Sequence, residues 1–327
     1  MSAPRELLAR VAAHPDALEA RLACAEALRE HDAPRAELIG AQVALTERGM
    51  DPARRLTLRK QVDALLREHG KAWRGRLEAL GASGFEFSRG FVEEVSLSEQ
   101  SLAEHGETLL ALEPIHRVRL AVRDGKGLER AAAQPWFEQI RWLKLTAEKD
   151  ADEAARVLAS AAHAGRLEGL VLPCVDPEGV AALSQSAVLT GLRSLSLTEN
   201  DGFGDEFAEA LAECRFSLER LYLSGTGISE EGIAALAGAE RLGRLELLAL
   251  NRDGLTDEAA EVLAASEVLV NLQRLELARN ELSEEGALAF RSKKALPKLR
   301  LLDLRDMALS ARQLEPLLKR LGWGVKL

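Results

Sequence analysis

Residues able to do chemistry fall into three sets. The first is the six histidines, His14, His31, His69, His105, His116 and His163, which show no metal-ligand spacing and read as surface or helix-end residues. The second is Asn200-Asp201-Gly202-Phe203-Gly204-Asp205-Glu206. Its acids suggest calcium, but it lacks the frame and closing Glu of an EF-hand loop and reads as an irregular loop before a helix. Gly202-Phe203-Gly204 also lacks the third glycine of a dinucleotide fingerprint. G-x-x-x-x-G-K-[ST], H-E-x-x-H and G-x-S-x-G are absent. The expectation is therefore a non-enzymatic protein with no cofactor, no metal and no catalytic residues. The third set is Arg117, Arg119, Trp142, Lys144, Arg220, Tyr222 and Arg274. Arginine can pair bidentately with a carboxylate, and Trp and Tyr supply apolar area; these types dominate binding hot spots.

The elements that carry the third set repeat. Leu218-Glu219-Arg220-Leu221-Tyr222-Leu223 is followed at 27-residue intervals by Leu245 to Leu250, Leu272 to Leu277 and Leu299 to Leu304. The shared pattern is L-x-x-L-x-L. Looser copies begin at Leu192, Leu167, Ile140, Ile115 and Val92, giving about nine units. The x-L-x-L-x core has period 2, which predicts a short strand with one buried face. The second half of each unit predicts a helix: Thr256-Asp257-Glu258, Ser229-Glu230-Glu231 and Ser283-Glu284-Glu285 combine a cap residue with first-turn acids, and Ser310 with Gln313 has capping-box spacing.

This is the leucine-rich repeat signature. Units of this length with a full helix resemble the ribonuclease-inhibitor and Ran-GTPase-activating subtype over roughly residues 90–320. The resemblance implies an α/β solenoid: a curved parallel sheet inside, helices outside. The slot after each strand, where the family favours Asn, holds Asn200, Thr226, Asp253 and Asn280, and elsewhere Gln100, Arg123, Glu148, Val175 and Met307.

Strand alternation then predicts which side chains face the concave surface: Glu94 and Ser96, Arg117 and Arg119, Trp142 and Lys144, Gly169 and Val171, Ser194 and Ser196, Arg220 and Tyr222, Leu247 and Ala249, Arg274 and Glu276, Asp303 and Arg305. Leu277 should be buried and Glu276 exposed.

Residues 1–80 lack the repeat and predict an all-α module with helices near 4–13, 16–31, 34–48 and 52–80, with Leu18, Leu22, Ala25 and Leu28 as one buried stripe. Leu7-Leu8, His14-Pro15-Asp16, Arg21-Leu22, Glu26-Ala27-Leu28, Pro34-Arg35-Ala36-Glu37-Leu38-Ile39 and Gln42 resemble a bacterial repeat-companion domain. That family's Asp-Trp before Leu28 is Glu26-Ala27 here, and its Asp before Pro34 is Ala33. Trp73-Arg74 and Phe87-Ser88-Arg89-Gly90-Phe91-Val92 read as the bridge into the first repeat. The expected division is residues 1–80 as module and N-terminal cap, and 81–327 as repeats closed by Leu314, Leu317, Leu318, Leu321 and Trp323. A solenoid must cover its apolar ends.

Composition narrows the partner. Net charge is −9, against broad nucleic-acid binding. No apolar run reaches the roughly 18 residues of a membrane span. The N-terminus has no signal-peptide pattern, and Cys24, Cys174 and Cys214, an odd and scattered three, read as small buried residues of a cytoplasmic protein. The leading expectation is a monomeric scaffold binding a protein partner, an acidic one on the charge of the third set. A regulator of a small GTPase is the alternative, and a nucleic-acid binder is further off.

Overall fold

The computed structural model describes residues 5–146, 151–198 and 200–327. Its fold is α/β: eleven strands follow one another in chain order, mostly parallel, with helices between them. By its contacts the chain divides into two compact units, Met1–Ala121 with Lys126–Leu143, and Val122–Gly125 with Lys144–Leu327.

The first unit opens with α1 (Arg5–Ala13), α2 (Leu18–Leu28), α3 (Ala33–Ala44) and α4 (Pro52–Glu78). Asp32 caps α3 by accepting from Arg35 N at 3.1 Å, and Asp51 caps α4 by accepting from Arg54 N at 2.9 Å. Each is followed by a proline in the first turn, where no amide hydrogen is needed. α2 turns a different face inward than its leucines suggest. Arg21, Cys24, Ala25 and Leu28 are buried, and Leu22 is 48% exposed. A buried arginine is tolerated there because its charge is matched by Glu93.

A hairpin follows: β1 (Ser83–Ser88) pairs antiparallel with β2 (Phe91–Ser98). Gly90 in its turn has φ +90°, and a Cβ there would lie 2.1 Å from Ile39 of α3, so only glycine fits. Then come α5 (Glu99–Leu112), capped by Ser98, β3 (Arg117–Ala121) parallel to β2, and α6 (Lys126–Ala132). The helices are fixed to this part of the unit by polar side chains. Arg21, with no exposed side chain, meets Glu93 at 2.6 Å, and Arg89 meets the same carboxylate at 2.9 Å. Arg35 donates to both oxygens of Glu113 at 2.8 Å and lies 5.0 Å from the Trp73 ring centroid. Gln42 donates to Phe87 O and accepts from Gly90 N. Arg21, Arg35 and Gln42 are among the residues that carry the repeat-companion resemblance. His116 is buried, contrary to the expectation of a surface histidine; burial holds its pKa below the ordinary value.

The divide between the units falls within β4 (Trp142–Thr146). Beyond it run α7 (Ala151–Ser160), β5 (Gly169–Val171), α8 (Pro177–Ser184), β6 (Ser194–Ser196), α9 (Gly204–Ala212), β7 (Arg220–Tyr222) and α10 (Glu230–Gly238). The chain continues through β8 (Leu247–Ala249), α11 (Asp257–Ala265), β9 (Arg274–Glu276), α12 (Glu284–Ala289), β10 (Leu301–Asp303), α13 (Glu315–Leu321) and β11 (Val325–Lys326). The register matches the repeat: Leu170, Leu195, Leu221, Leu248, Leu275 and Leu302 are successive partners, all buried.

Two side-chain ladders join successive repeats in this second unit. In the first, Asn280 Nδ2 donates to Leu250 O and Leu277 O, and its Oδ1 accepts from Asp253 N and Leu255 N. Asn200 does the same for Leu172 O, Leu197 O and Val175 N. Thr226 Oγ1 donates to Leu223 O, and Asp253 accepts from Thr226 N and Gly227 N. Gln100 is not part of such a ladder: it lies exposed on α5 and bonds Glu104, and the buried acid is its neighbour Glu99. Glu148 lies outside the described residues. The second ladder ties helix starts together. Asp205 accepts from Ser229 N, Ser229 Oγ and Gly232 N, and Asp257 accepts from Ser283 N and Ser283 Oγ. A Cβ on Gly232 or Gly286 would sit within about 2.2 Å of that aspartate oxygen, which accounts for the glycine after each Ser-Glu-Glu. Thr256 makes no capping bond and donates to Glu230 instead.

Asp253 is the weak rung of the first ladder. Its Oδ2 is buried with no hydrogen-bond partner among the described residues, and burial raises its pKa to about 6 from the ordinary 3.8. The folded chain therefore holds this proton more tightly than the unfolded chain. The resulting stabilisation is complete below about pH 4 and lost as pH rises to about 6. Asp253→Asn, which places a donor where Oδ2 stands, should flatten that dependence and add about 1–2 kcal/mol at pH 8. Urea midpoints at pH 5 and pH 8 measure it; a variant no more stable than wild type at pH 8 contradicts the ladder.

At the C-terminal end Leu314 and Leu317 are buried and Leu318 and Leu321 half-buried, but Trp323 is fully exposed and closes nothing. Arg320 takes up that role by donating to Phe290 O, Ala295 O and Leu296 O. Ser310 and Gln313 do exchange reciprocal bonds of the capping-box kind, but in the turn before α13, whose N-cap position is Leu314 and carries no side-chain cap.

Candidate interaction face

In the first unit the strand parity places Arg117, exposed, and Arg119 and Trp142, half-buried, on the side away from the buried Val118, Leu120 and Leu143. Arg117 lies 5.6 Å from the Trp142 ring centroid, so cation and aromatic form one patch. Both arginines are already paired. Arg119 meets Glu94 at 2.8 Å and Glu86 at 3.3 Å, and it donates to Gly84 O at 3.0 Å. Arg117 reaches the same Glu94 at 3.3 Å. Arg119 is thus a brace of the β1–β2 hairpin as well as a surface group.

In the second unit Lys144 is exposed. Two rows cross the strands. Arg220, Leu247 and Arg274 form one, and Tyr222, Ala249 and Glu276 the other. Arg220, Tyr222, Leu247, Arg274 and Glu276 are half-buried, while Ala249 is buried. Glu276 was expected to be exposed. Instead it forms an ion pair with Arg274 and accepts from Asn251 Nδ2 at 3.2 Å. Arg220 has Glu219 at 3.8 Å. On β10 the face residues are Leu301 and Asp303, since Leu301 pairs with Arg274 and Asp303 with Glu276. Arg305 lies past the strand end and is held by Asp303, which is only 1% exposed. Burial acts to raise the Asp303 pKa, but the hydrogen bonds and charge of Arg305, with Lys326, outweigh it and hold the carboxyl below its ordinary value.

The seven residues singled out from sequence are thus placed as Arg117, Arg119 and Trp142 in the first unit and Lys144, Arg220, Tyr222 and Arg274 in the second. Sequence reading weighted the cations and passed over their partners Glu86, Glu94 and Glu276. Parity already put Glu94 and Glu276 on the same face; Glu86 carried no signal, because β1 itself was read as a bridge.

Elsewhere the chemistry is sparse. Asn200 is a buried ladder residue, which removes the calcium-loop reading of its segment. Burial pushes the Cys24 and Cys214 thiols up to about 11, so neither is a ready nucleophile. Cys174, expected to be buried, is exposed. No group of three or more His, Cys, Asp or Glu among the described residues could hold a metal ion. No helix among them is long and apolar enough to cross a membrane.

Two segments, residues 216–237 and 268–290, match the family model for leucine-rich repeats. They cover β7 with α10 and β9 with α12, so the protein carries leucine-rich repeats of the strand–helix kind just described. Such repeats generally mediate protein–protein interaction. No curated protein matches the chain.

Proposed function

We propose that the protein is a non-enzymatic scaffold that binds a protein partner on the strand face of its repeats. The observation that carries this reading is the alternation across β7, β8 and β9. Leu221, Leu248 and Leu275 are fully buried, while Arg220, Tyr222, Leu247, Arg274 and Glu276 stand half-exposed in two straight rows. A face fixed by backbone pairing and Leu packing loses little conformational entropy on binding. Arginine and tyrosine on it are the types that anchor interfaces. The ion pairs refine the expected partner: the face carries both signs, so a complementary partner offers acids to the arginines and a base to Glu276. We further propose that residues 1–80 act as the N-terminal cap.

The test is affinity capture with the full chain beside Tyr222→Ala. A partner held by wild type and weakened about thirtyfold or more with Tyr222→Ala supports the face, since a hot spot costs about 2 kcal/mol or more. Equal recovery from both proteins rejects it.

A further inference from the structure

The first unit contains a cleft of about 380 Å³ that the strand face does not use. Its apolar lining is Leu8, Leu28, Leu77, Phe91 and Leu112, with Trp73 on one wall. α4 contributes the rim: His69, Ala72 and Arg76 recur at three, four and seven residues and so share one helix face. The volume falls in the range of small-molecule sites, roughly 300–1,000 Å³, and five of the twelve lining residues, Asp32, Arg35, His69, Arg76 and Glu113, are ionisable.

The charge of the cleft follows from which groups are already bonded. Asp32 gives Oδ1 to Arg35 N and Oδ2 to Trp73 Nε1. Glu113 gives both oxygens to Arg35 and one also to Val92 N. Both acids that line the cleft are therefore occupied, and so is the Arg35 guanidinium. Arg76 is different. It is exposed at the rim and has no carboxylate within 4 Å among the described residues. His69 stands beside it on the helix, with only the mostly exposed Glu68 at 3.7 Å.

An apolar floor beneath one uncommitted guanidinium selects a ligand with an apolar tail and a single negative head. A cationic head would meet Arg76 with no free acid to receive it. We propose that this cleft binds a free aliphatic carboxylate, tail against Leu8, Leu28, Leu77 and Phe91, head on Arg76. The site lies among residues 8–113 and is separate from the face assigned to the protein partner.

Calorimetric titration of the full chain with octanoate tests it, with octylamine and an acetylated peptide ending in Leu as comparison ligands. Octanoate should saturate at one per chain and octylamine should not bind. Arg76→Gln should weaken octanoate by about tenfold, the effect of one charge-assisted hydrogen bond. Ala72→Phe, a change at an exposed helix position that fills the rim, should abolish binding while leaving the thermal melt as in wild type. No saturable heat with octanoate overturns the proposal. So does equal binding of octylamine, binding indifferent to Ala72→Phe, or binding of the peptide in place of octanoate.

Discussion

Replacing Arg21 by Ala should destabilise the full chain by about 3–5 kcal/mol, the usual cost of leaving a buried charge without its partner. Arg21 has no exposed side chain and Glu93 only 4%, so water cannot take over from either. Arg21 also donates through Nε and Nη2 to Pro15 O, at the turn before α2. Its loss would leave that carbonyl unpaired and Glu93 with Arg89 at 2.9 Å and the buried His116 ring at 3.9 Å. The double variant Arg21→Met/Glu93→Leu removes both charges and should regain much of the loss, because an apolar pair of similar size needs no solvation. Guanidinium midpoints of the wild type, Arg21→Ala and the double variant measure this. A single Arg21→Ala cost below about 1 kcal/mol would show that the pair is solvated and does not fix the helices, contrary to a cap role for residues 1–80.

Leu277→Ala should cost about 2–5 kcal/mol through lost burial and the cavity left behind. Leu277 is 1% exposed, and its N–H donates to Asp303 O at 2.9 Å, so the backbone around the cavity is held and relaxes little. Its neighbour Glu276 points to the other face. Glu276→Ala breaks the pair with Arg274 and the bond from Asn251, both partly solvated, and should cost no more than about 1 kcal/mol. Denaturant midpoints separate the two. Equal losses would mean that the faces are exchanged, as a one-residue slip of register would do.

The repeat was legible in sequence because one kind of burial recurs with two fixed periods. Leucines alternate within a strand and return every 27 residues, so Leu221, Leu248 and Leu275 announce both strand and register. The Asn slot was legible for the same reason, since Asn200 and Asn280 bond carbonyls at set offsets. What sequence did not show are pairings between residues far apart in the chain. Arg21 with Glu93 and Arg35 with Glu113 have no periodic signal, so α2 was read with Leu22 inward where Arg21 is. The strand face suffered likewise. Arg117 and Arg119 look like free cations until Glu94 is placed between them, and Arg305 looked like a face residue although the leucine frame gives Leu301 and Asp303. Trp323 was assigned to the core by its type alone, and the core at that end is closed by Leu314, Leu317 and the carbonyl bonds of Arg320.

The account rests most heavily on the strand face as the binding surface. Calorimetric titration of the captured partner against wild type, Trp142→Ala, Tyr222→Ala and Glu261→Ala tests it directly. Trp142 lies on the strand face of the first unit, Tyr222 on that of the second, and Glu261 on the exposed side of α11. The prediction is a loss of about 2 kcal/mol or more for Trp142→Ala, Tyr222→Ala or both, and wild-type affinity for Glu261→Ala. Unchanged affinity with both aromatic variants, or a loss with Glu261→Ala alone, would contradict it and move the working surface to the helices.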